Sequence, residues 1–372
     1  MTERQLPRQR FQNRVERARL SLAAHGLDAL ALSAGSDLSY LCGYEAMPLE
    51  RLTLLVVGLT GPPRLLVPAL EAPRVDPLDG YLELLPWEDG QDMMGAAVQA
   101  VQTVAGARPA LAVSDGMWAS VLLSLQERLP AARFSAAGEV LRELRVLKSP
   151  DEIAALRKAA QAVDEITRTY PSMTWEGRTE AEVAKEIAGL LTDVGHEEVN
   201  FVIVASGPNG ASPHHTAAGR RILRGDVIVV DIGGTMNGYC SDITRCVTVG
   251  DSGDEVRRAY DALRRAQESA VHSVTPGVPA EQIDAVARDL LTEEGYGAFF
   301  IHRTGHGIGL DEHEDPYIVA GNQVPLAPGM CFSIEPGVYF PGRFGLRLED
   351  IVVVEEDGVS PLNTSSHDLI VV

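Results

Sequence analysis

The dipeptide Asn237-Gly238, set between the runs VIVVDIGGTM and YCSDITRCVTV, constrains this chain more than any other feature. A two-residue hairpin turn needs positive φ at both central positions, which Asn and Gly tolerate, so the dipeptide predicts an antiparallel hairpin. With those residues as the loop, Met236 faces Tyr239 and Asp231 falls opposite Thr244. Asp242 then shares a face with Asp231 and lies diagonal to it, at ~7–8 Å between Cα atoms, where side chains can converge. Two aspartates among Ile228, Val229, Val230 and Ile232 repel each other unless a cation lies between them; the bland alternative is the acidic outer face of an edge hairpin.

A second acidic pair lies near the C-terminus. Glu335 in MCFSIEPGVYF and Glu349 in LRLEDIVVVEE flank the turn sequence Pro341-Gly342-Arg343-Phe344-Gly345, and Gly342 is equidistant from them. A hairpin centred there sets the glutamates opposite each other, which asks for a cation or a raised pKa. Arg347, two residues from Glu349, is placed to neutralise or orient one of them. Between the two hairpins, His302, His306 and His313 fall within HRTGHGIGLDEHE, three of the chain's nine histidines. Gly305, Gly307 and Gly309 favour strand or loop there, against a helical HExxH zinc site. Upstream, SGPNGASPHHTAAG brings His214 and His215 on a turn-rich loop. Asp231, Asp242, Glu335 and Glu349 carry four negative charges, which two divalent cations cancel, and a neutral imidazole completes one coordination sphere. Oxygen-rich ligation with one histidine predicts Mn²⁺, with Co²⁺ or Zn²⁺ as substitutes, and no cysteine is placed for tetrahedral structural zinc.

The rest of the chain divides by pattern. Residues 10–25 carry Phe11, Val15, Ala18, Leu20 and Leu22 at helical spacing, with Gly26 as a stop. Short apolar runs follow (DALALSA, SYLCGY, LTLLVVG, RLLVPAL, YLELLPW, LAVSD), with helical patterns over 93–104 and 117–129. Strands interleaved with helices predict an α/β domain over residues 1–140. It gathers no cluster of His, Asp and Glu, so a structural, oligomerising or pocket-covering role is expected. Residues 141–149 read as a linker ending in Ser149-Pro150-Asp151-Glu152, a helix start with an N-cap, a proline in the first turn and acids beside it. Helices over 150–170, 179–195, 254–274 and 280–295 then surround the strand-like runs of a second domain over 150–372, an α+β arrangement.

Composition excludes several classes of partner. With 32 basic and 52 acidic residues the net charge is −20, which repels nucleic acid and anionic lipid. No apolar run approaches a membrane span, and the charged N-terminus has no signal-peptide core, so a cytoplasmic protein is expected. Cys42, Cys240, Cys246 and Cys331 are scattered without CxxC spacing and read as buried free thiols.

In order, VVDIGG, YCSDITR, HRTGHGIGLDEHE, SIEPGVY and LRLED resemble the metallopeptidases of the pita-bread fold, the methionine aminopeptidase, prolidase and aminopeptidase P superfamily. The resemblance covers residues 145–372, and residues 1–140 are similar to the creatinase-type N-terminal domain. It implies that Asp231, Asp242, His306, Glu335 and Glu349 ligate two metal ions per chain, Asp242 and Glu349 bridging them. It further implies that Glu335 transfers the proton, that His214, His302 and His313 line the substrate site, and that Arg347 supports the carboxylates. The implied activity is hydrolysis of the Xaa-Pro bond in dipeptides by a homodimer, the alternative being an aminopeptidase P acting on longer peptides. Many prolidases carry an arginine just after the segment matching HGIGLDEHE, whereas Glu314-Asp315-Pro316-Tyr317-Ile318 offers none, which leaves Arg343 and Arg347 to hold the substrate carboxylate. A metal-free creatinase-like amidinohydrolase on the same fold is disfavoured because all five ligand positions are filled. A non-catalytic binding protein is disfavoured for the same reason.

Overall fold

The structure, a computed structural model, describes residues 5–372; residues 1–4, the start of the expected first domain, lie outside the described residues. The chain forms two compact units, one reaching to Arg145 and the other running from Val146 to Val372.

The first unit contains α1 (Gln5–Ala24), β1 (Ala29–Ser33), α2 (Ser36–Cys42), β2 (Leu54–Gly58), β3 (Arg64–Pro68) and β4 (Glu83–Trp87). α3 (Met93–Ala105), β5 (Ala110–Val113), α4 (Ala119–Arg128), β6 (Arg133–Ala136) and α5 (Gly138–Arg145) complete it, so residues 141–145 of the expected linker are helical. Its mixed sheet has the order β4-β3-β2-β1-β5-β6, antiparallel at β1–β2 and β2–β3 and parallel elsewhere. Ala97 and Val101 of α3 and Leu125 of α4 pack on Ala31, Val56 and Leu111 of the sheet. Two expectations fail here. SYLCGY is not a strand: Leu38, Leu41 and Cys42 bury one face of α2, and Gly43, at φ +76°, ends it by donating to Ser39 O. Leu20 is 74% exposed although Phe11, Val15, Ala18 and Leu22 bury the core face of α1.

In the second unit, α6 (Pro150–Thr167) opens on a capping box, Ser149 Oγ accepting from Glu152 N and Glu152 Oε2 accepting from Ser149 N. α7 (Glu180–Asp193) and β7 (Glu198–Ser206) lead to the predicted hairpin, β8 (Val227–Met236), β9 (Tyr239–Cys240) and β10 (Ile243–Thr248). Asn237 and Gly238 have φ of 52° and 76°, Met236 pairs with Tyr239, and Asp231 lies opposite Thr244, the register the turn predicts. Because side chains alternate, Ile228, Val230 and Ile232 enter the core under α7, and Val227, Val229 and Asp231 point to the other face. α8 (Gly253–Ser273) and α9 (Ala280–Glu293) pack Leu263, Ala266, Ile283 and Ala287 against Val229, Phe332, Ile334 and Val352.

β11 (Gly305–Gly307), β12 (Glu314–Ile318), β13 (Cys331–Ile334), β14 (Gly337–Phe340), β15 (Phe344–Arg347), β16 (Asp350–Glu355), β17 (Gly358–Pro361) and β18 (Ile370–Val371) follow. They form a sheet of order β12-β11-β13-β16-β17 and a β14–β15 ribbon, while β18 joins β10-β8-β7. Residues 331–353 make one long hairpin of constant register, with Cys331 opposite Val353 and Phe340 opposite Phe344. The expected strands MCFSIEPGVYF and LRLEDIVVVEE are each broken inside it, at Glu335-Pro336 and Leu348-Glu349. Pro336 has no N–H for the ladder, and the freed amides bond elsewhere, Glu335 N to Thr304 O and Glu349 N to Thr244 O.

Behind this break, Arg245 is 1% exposed and donates to Asp350 Oδ1 at 2.7 Å, Glu349 O at 2.6 Å and Ser365 O at 3.1 Å. Burial pushes the Asp350 carboxyl up, but Arg245 and His367 outweigh it and hold it below the usual carboxylate range. Removing one partner strands the other charge, so Arg245→Ala is expected to cost about 3–5 kcal/mol, read as a lower urea midpoint at fixed metal loading.

Candidate metal centre and substrate pocket

A cavity of about 640 Å³ opens in the second unit, and its walls gather residues from both hairpins and from the histidine-rich segment. Asp231 comes from β8, Asp242 from the gap between β9 and β10, His306 from β11, and Glu335 and Glu349 from the break in the long hairpin. Arg347, His302, His313 and His214 line the same cavity. These nine of the residues singled out in the sequence therefore converge. His215 does not: its Nε2 lies 2.8 Å from Glu180 Oε2. Glu180, fully buried at the start of α7, also accepts from Ser206 N and from Asn209 Nδ2, tying down the loop that presents His214. Arg343 pairs with Glu255 on the exposed surface and is absent from the cavity walls.

The glycines are required by close approach. A Cβ on Gly305 would meet Ser333 O at 1.9 Å and one on Gly307 would meet Asp315 O at 2.2 Å, so only glycine lets β11 slide between β12 and β13. Ser333 Oγ then accepts from His306 N at 3.0 Å and donates to Glu335 Oε1 at 3.2 Å.

Arg347 organises the other side. It donates to Asp231 Oδ2 at 2.5 Å, Thr244 Oγ1 at 3.1 Å and Tyr339 OH at 2.9 Å, and Thr244 Oγ1 in turn donates to Glu349 Oε2 at 2.7 Å. His302 donates from Nδ1 to Arg303 O, which leaves Nε2 to accept from Tyr339 OH at 3.0 Å.

Four carboxylates crowd this space. Burial first, and then the negative charge of its neighbours, raises Asp242 and Glu349 well above the usual carboxylate range. Burial also pushes Glu335 up, to about 7, although Arg347 opposes the rise. Burial lowers His302 to about 4 and, with help from His313, His306 to about 3, so both rings are neutral at pH 7.

Divalent cations fit these groups. Asp231 Oδ1, Asp242 Oδ1 and Glu349 Oε1 are buried, and among the described residues no group hydrogen-bonds them. His306 Nδ1 lies 3.0 Å from Gly307 O and must donate to it, so Nε2 turns a bare lone pair toward Glu335 Oε1 at 3.3 Å and Asp242 Oδ2 at 3.7 Å. Lone pairs facing lone pairs in a buried site repel unless a cation separates them. Donor atoms of Asp242, His306 and Glu349 all lie within 4.8 Å of one another.

Sequence reasoning missed β7, although VNFVIVAS is an apolar, β-branched run, and with it Phe201 and Ile203; Ile203 pairs with Asp231 across the sheet. Arg303 and Glu312 line the cavity from within the histidine motif, where their neighbours drew the attention. The hydroxyls of Thr244, Ser333 and Tyr339 carry no sequence signal beyond the hairpin register.

The family model for metallopeptidase family M24 matches residues 154–356, and the creatinase/prolidase N-terminal domain model matches residues 14–147. A curated relative, the probable dipeptidase PepE of Mycobacterium tuberculosis, is 48% identical over 98% of each chain. The Xaa-Pro dipeptidase of Lactobacillus delbrueckii subsp. lactis is 33% identical, with 94% of this chain and 96% of that one covered. Among solved structures, recombinant prolidase from Thermococcus sibiricus superposes with a TM-score of 0.93 at 36% identity, covering 97% and 99% of the two chains. On motif, architecture and these matches together, the chain belongs to metallopeptidase family M24, joined to a creatinase/prolidase-type N-terminal domain.

Proposed function

We propose that this protein is a metal-dependent dipeptidase that cleaves the Xaa-Pro bond. The observation that carries the reading is the His306 lone pair set beside buried carboxylates, three of whose oxygens hydrogen-bond no group among the described residues. Relatives named dipeptidase and Xaa-Pro dipeptidase over nearly their whole length support the substrate class.

In this reading Asp231, Asp242, His306, Glu335 and Glu349 hold two divalent ions, with Mn²⁺ favoured by the oxygen-rich donors. When bound, such ions polarise a carbonyl oxygen and make a water acidic enough to deprotonate near neutral pH. Glu335 moves the proton. It is the most exposed of the four ligand carboxylates at 16%, against 11% or less for Asp231 and Asp242, and Ser333 occupies its Oε1, which leaves Oε2 to accept a proton from the attacking water. The same atom delivers the proton to the prolyl nitrogen as the bond breaks. His313 donates to the developing oxyanion, His302, whose two ring nitrogens are held by Arg303 O and Tyr339 OH, lines the substrate site, and His214 positions the departing side. Proline's nitrogen has no hydrogen to offer, so recognition falls to shape: Phe201, Ile203 and Pro213 give an apolar wall for the pyrrolidine ring.

The active form is a cytoplasmic homodimer acting on small peptides, without nucleic-acid or membrane partners. The strong negative charge speaks against nucleic-acid and anionic-lipid partners, and among the described residues no helix is long and apolar enough to cross a membrane. Steady-state kinetics on an Xaa-Pro dipeptide and on the same peptide extended by one residue test the substrate. The dipeptide is expected to have the higher kcat/KM. A higher value for the tripeptide makes the enzyme an aminopeptidase P.

A further inference from the structure

Two guanidinium groups line the cavity, and their situations differ. Arg347 has every nitrogen engaged, with Asp231, Thr244, Tyr339 and Pro213 O as partners. Arg303 is half-buried, and among the described residues its guanidinium makes no hydrogen bond or ion pair. Its Cζ lies over the Tyr317 ring, 4.5 Å from the centroid, a cation–π contact that engages none of the N–H donors.

The backbone on either side of Arg303 is clamped from α9. Arg288 donates to His302 O at 2.8 Å, and Asp284 Oδ1 accepts from Thr304 N at 3.0 Å and Thr304 Oγ1 at 2.8 Å. The side chain is therefore presented from a rigid segment rather than a loose loop. Its charge reaches the site, since Arg303 lowers the pKa of both His313 and Glu335. A fixed, uncommitted cation at the wall of a cavity otherwise rich in carboxylates is placed for a substrate anion.

We propose that Arg303 binds the C-terminal carboxylate of the substrate and so selects peptides that end at the residue after the scissile bond. The inference rests on the dipeptidase reading above and supplies its recognition element. A dipeptide carries one carboxylate at a fixed distance from the scissile carbonyl. A longer peptide has a neutral amide at that point, and the surrounding negative charge repels a carboxylate that no guanidinium receives. A planar fork matches two carboxylate oxygens, which makes the selection directional as well as electrostatic.

The test compares Ala-Pro with Ala-Pro-amide, which differ only in the terminal group, on metal-loaded wild type, Arg303→Met and Arg303→Lys. Wild type is expected to favour the acid. In Arg303→Met the acid-to-amide ratio of kcat/KM is expected to fall about 10- to 100-fold, the range of a charge-assisted hydrogen bond, mainly through KM for the acid. Arg303→Lys keeps the charge without the fork and is expected to fall between, and its ratio decides the matter should the methionine variant fold poorly. A merely structural role would lower both substrates together and leave the ratio unchanged; that result overturns the inference, as does a wild type that cleaves both substrates equally. A wild type that turns over neither overturns the dipeptidase reading itself, a distinct failure visible before any variant is made.

Discussion

Replacing Glu335 by glutamine is expected to lower kcat by more than ~100-fold while the protein stays folded, the lower range for loss of a proton-transferring group. Glutamine matches glutamate in shape, and its carbonyl oxygen can still accept from Ser333 Oγ, 3.2 Å from Oε1 in the wild type. The substitution therefore keeps the shape of the side chain and its bond to Ser333 while removing the proton-transferring carboxylate and one negative charge from the proposed metal ligands, so metal content has to be measured beside turnover. The side chain is also placed for exchange: burial raises its pKa to about 7, and it has more solvent access than the carboxylates deeper in the site. The measurement is kcat on a dipeptide alongside metal content and an unfolding curve. Near wild-type turnover with full metal occupancy would remove Glu335 from the mechanism.

Stripping divalent ions with a chelator is expected to cost on the order of 10³-fold or more in activity, since several kcal/mol of transition-state charge stabilisation is lost and each 1.36 kcal/mol is tenfold. Activity should return on adding Mn²⁺. A second effect accompanies the first. Ions that bind the folded chain and not the unfolded one stabilise it by mass action, so the stripped protein should melt at lower temperature. The oxygens of Asp231, Asp242 and Glu349 that are buried without a hydrogen bond among the described residues supply the reason. Protein shown by elemental analysis to be metal-free and still active would contradict the metal-dependent reading.

Much of the site was legible because both acidic pairs lie on hairpins whose register is a local property. A turn dipeptide and a two-residue period are enough to set Asp231 opposite Thr244 and to align Glu335 with Glu349, and the structure has both. The start of α6 was equally local, since Ser149 and Glu152 cap it from within four residues. What failed depended on partners far away in sequence. Residues 39–44 form a short apolar run of strand length, yet Gly43 ends a helix there and the domain's core takes Leu38 and Leu41. β6 is four residues of mixed polarity, held by β5 and unreadable without it. The interruption at Glu335-Pro336 follows from the proline, but where the freed amide turns, toward Thr304, is a tertiary fact. The stacking of Arg303 on Tyr317 joins residues from opposite sides of β11, and no spacing rule links them.

The long hairpin over residues 331–353 also bears on the order in which the protein assembles itself. Glu335 and Glu349 are brought level by a turn that closes within a few residues, and Asp231 and Asp242 by another, so each half of the centre needs only a short loop closure of the kind completed in microseconds. Joining the halves is different in kind: Glu349 N reaches Thr244 O, and Arg347 reaches Asp231, across more than a hundred residues of chain. High-affinity capture of cations therefore belongs to the last stage of folding, after two independently nucleated ribbons have docked. Until then each ribbon carries only two of the five donors, His306 lying on neither, and a nascent chain presents no complete trap for the wrong ion.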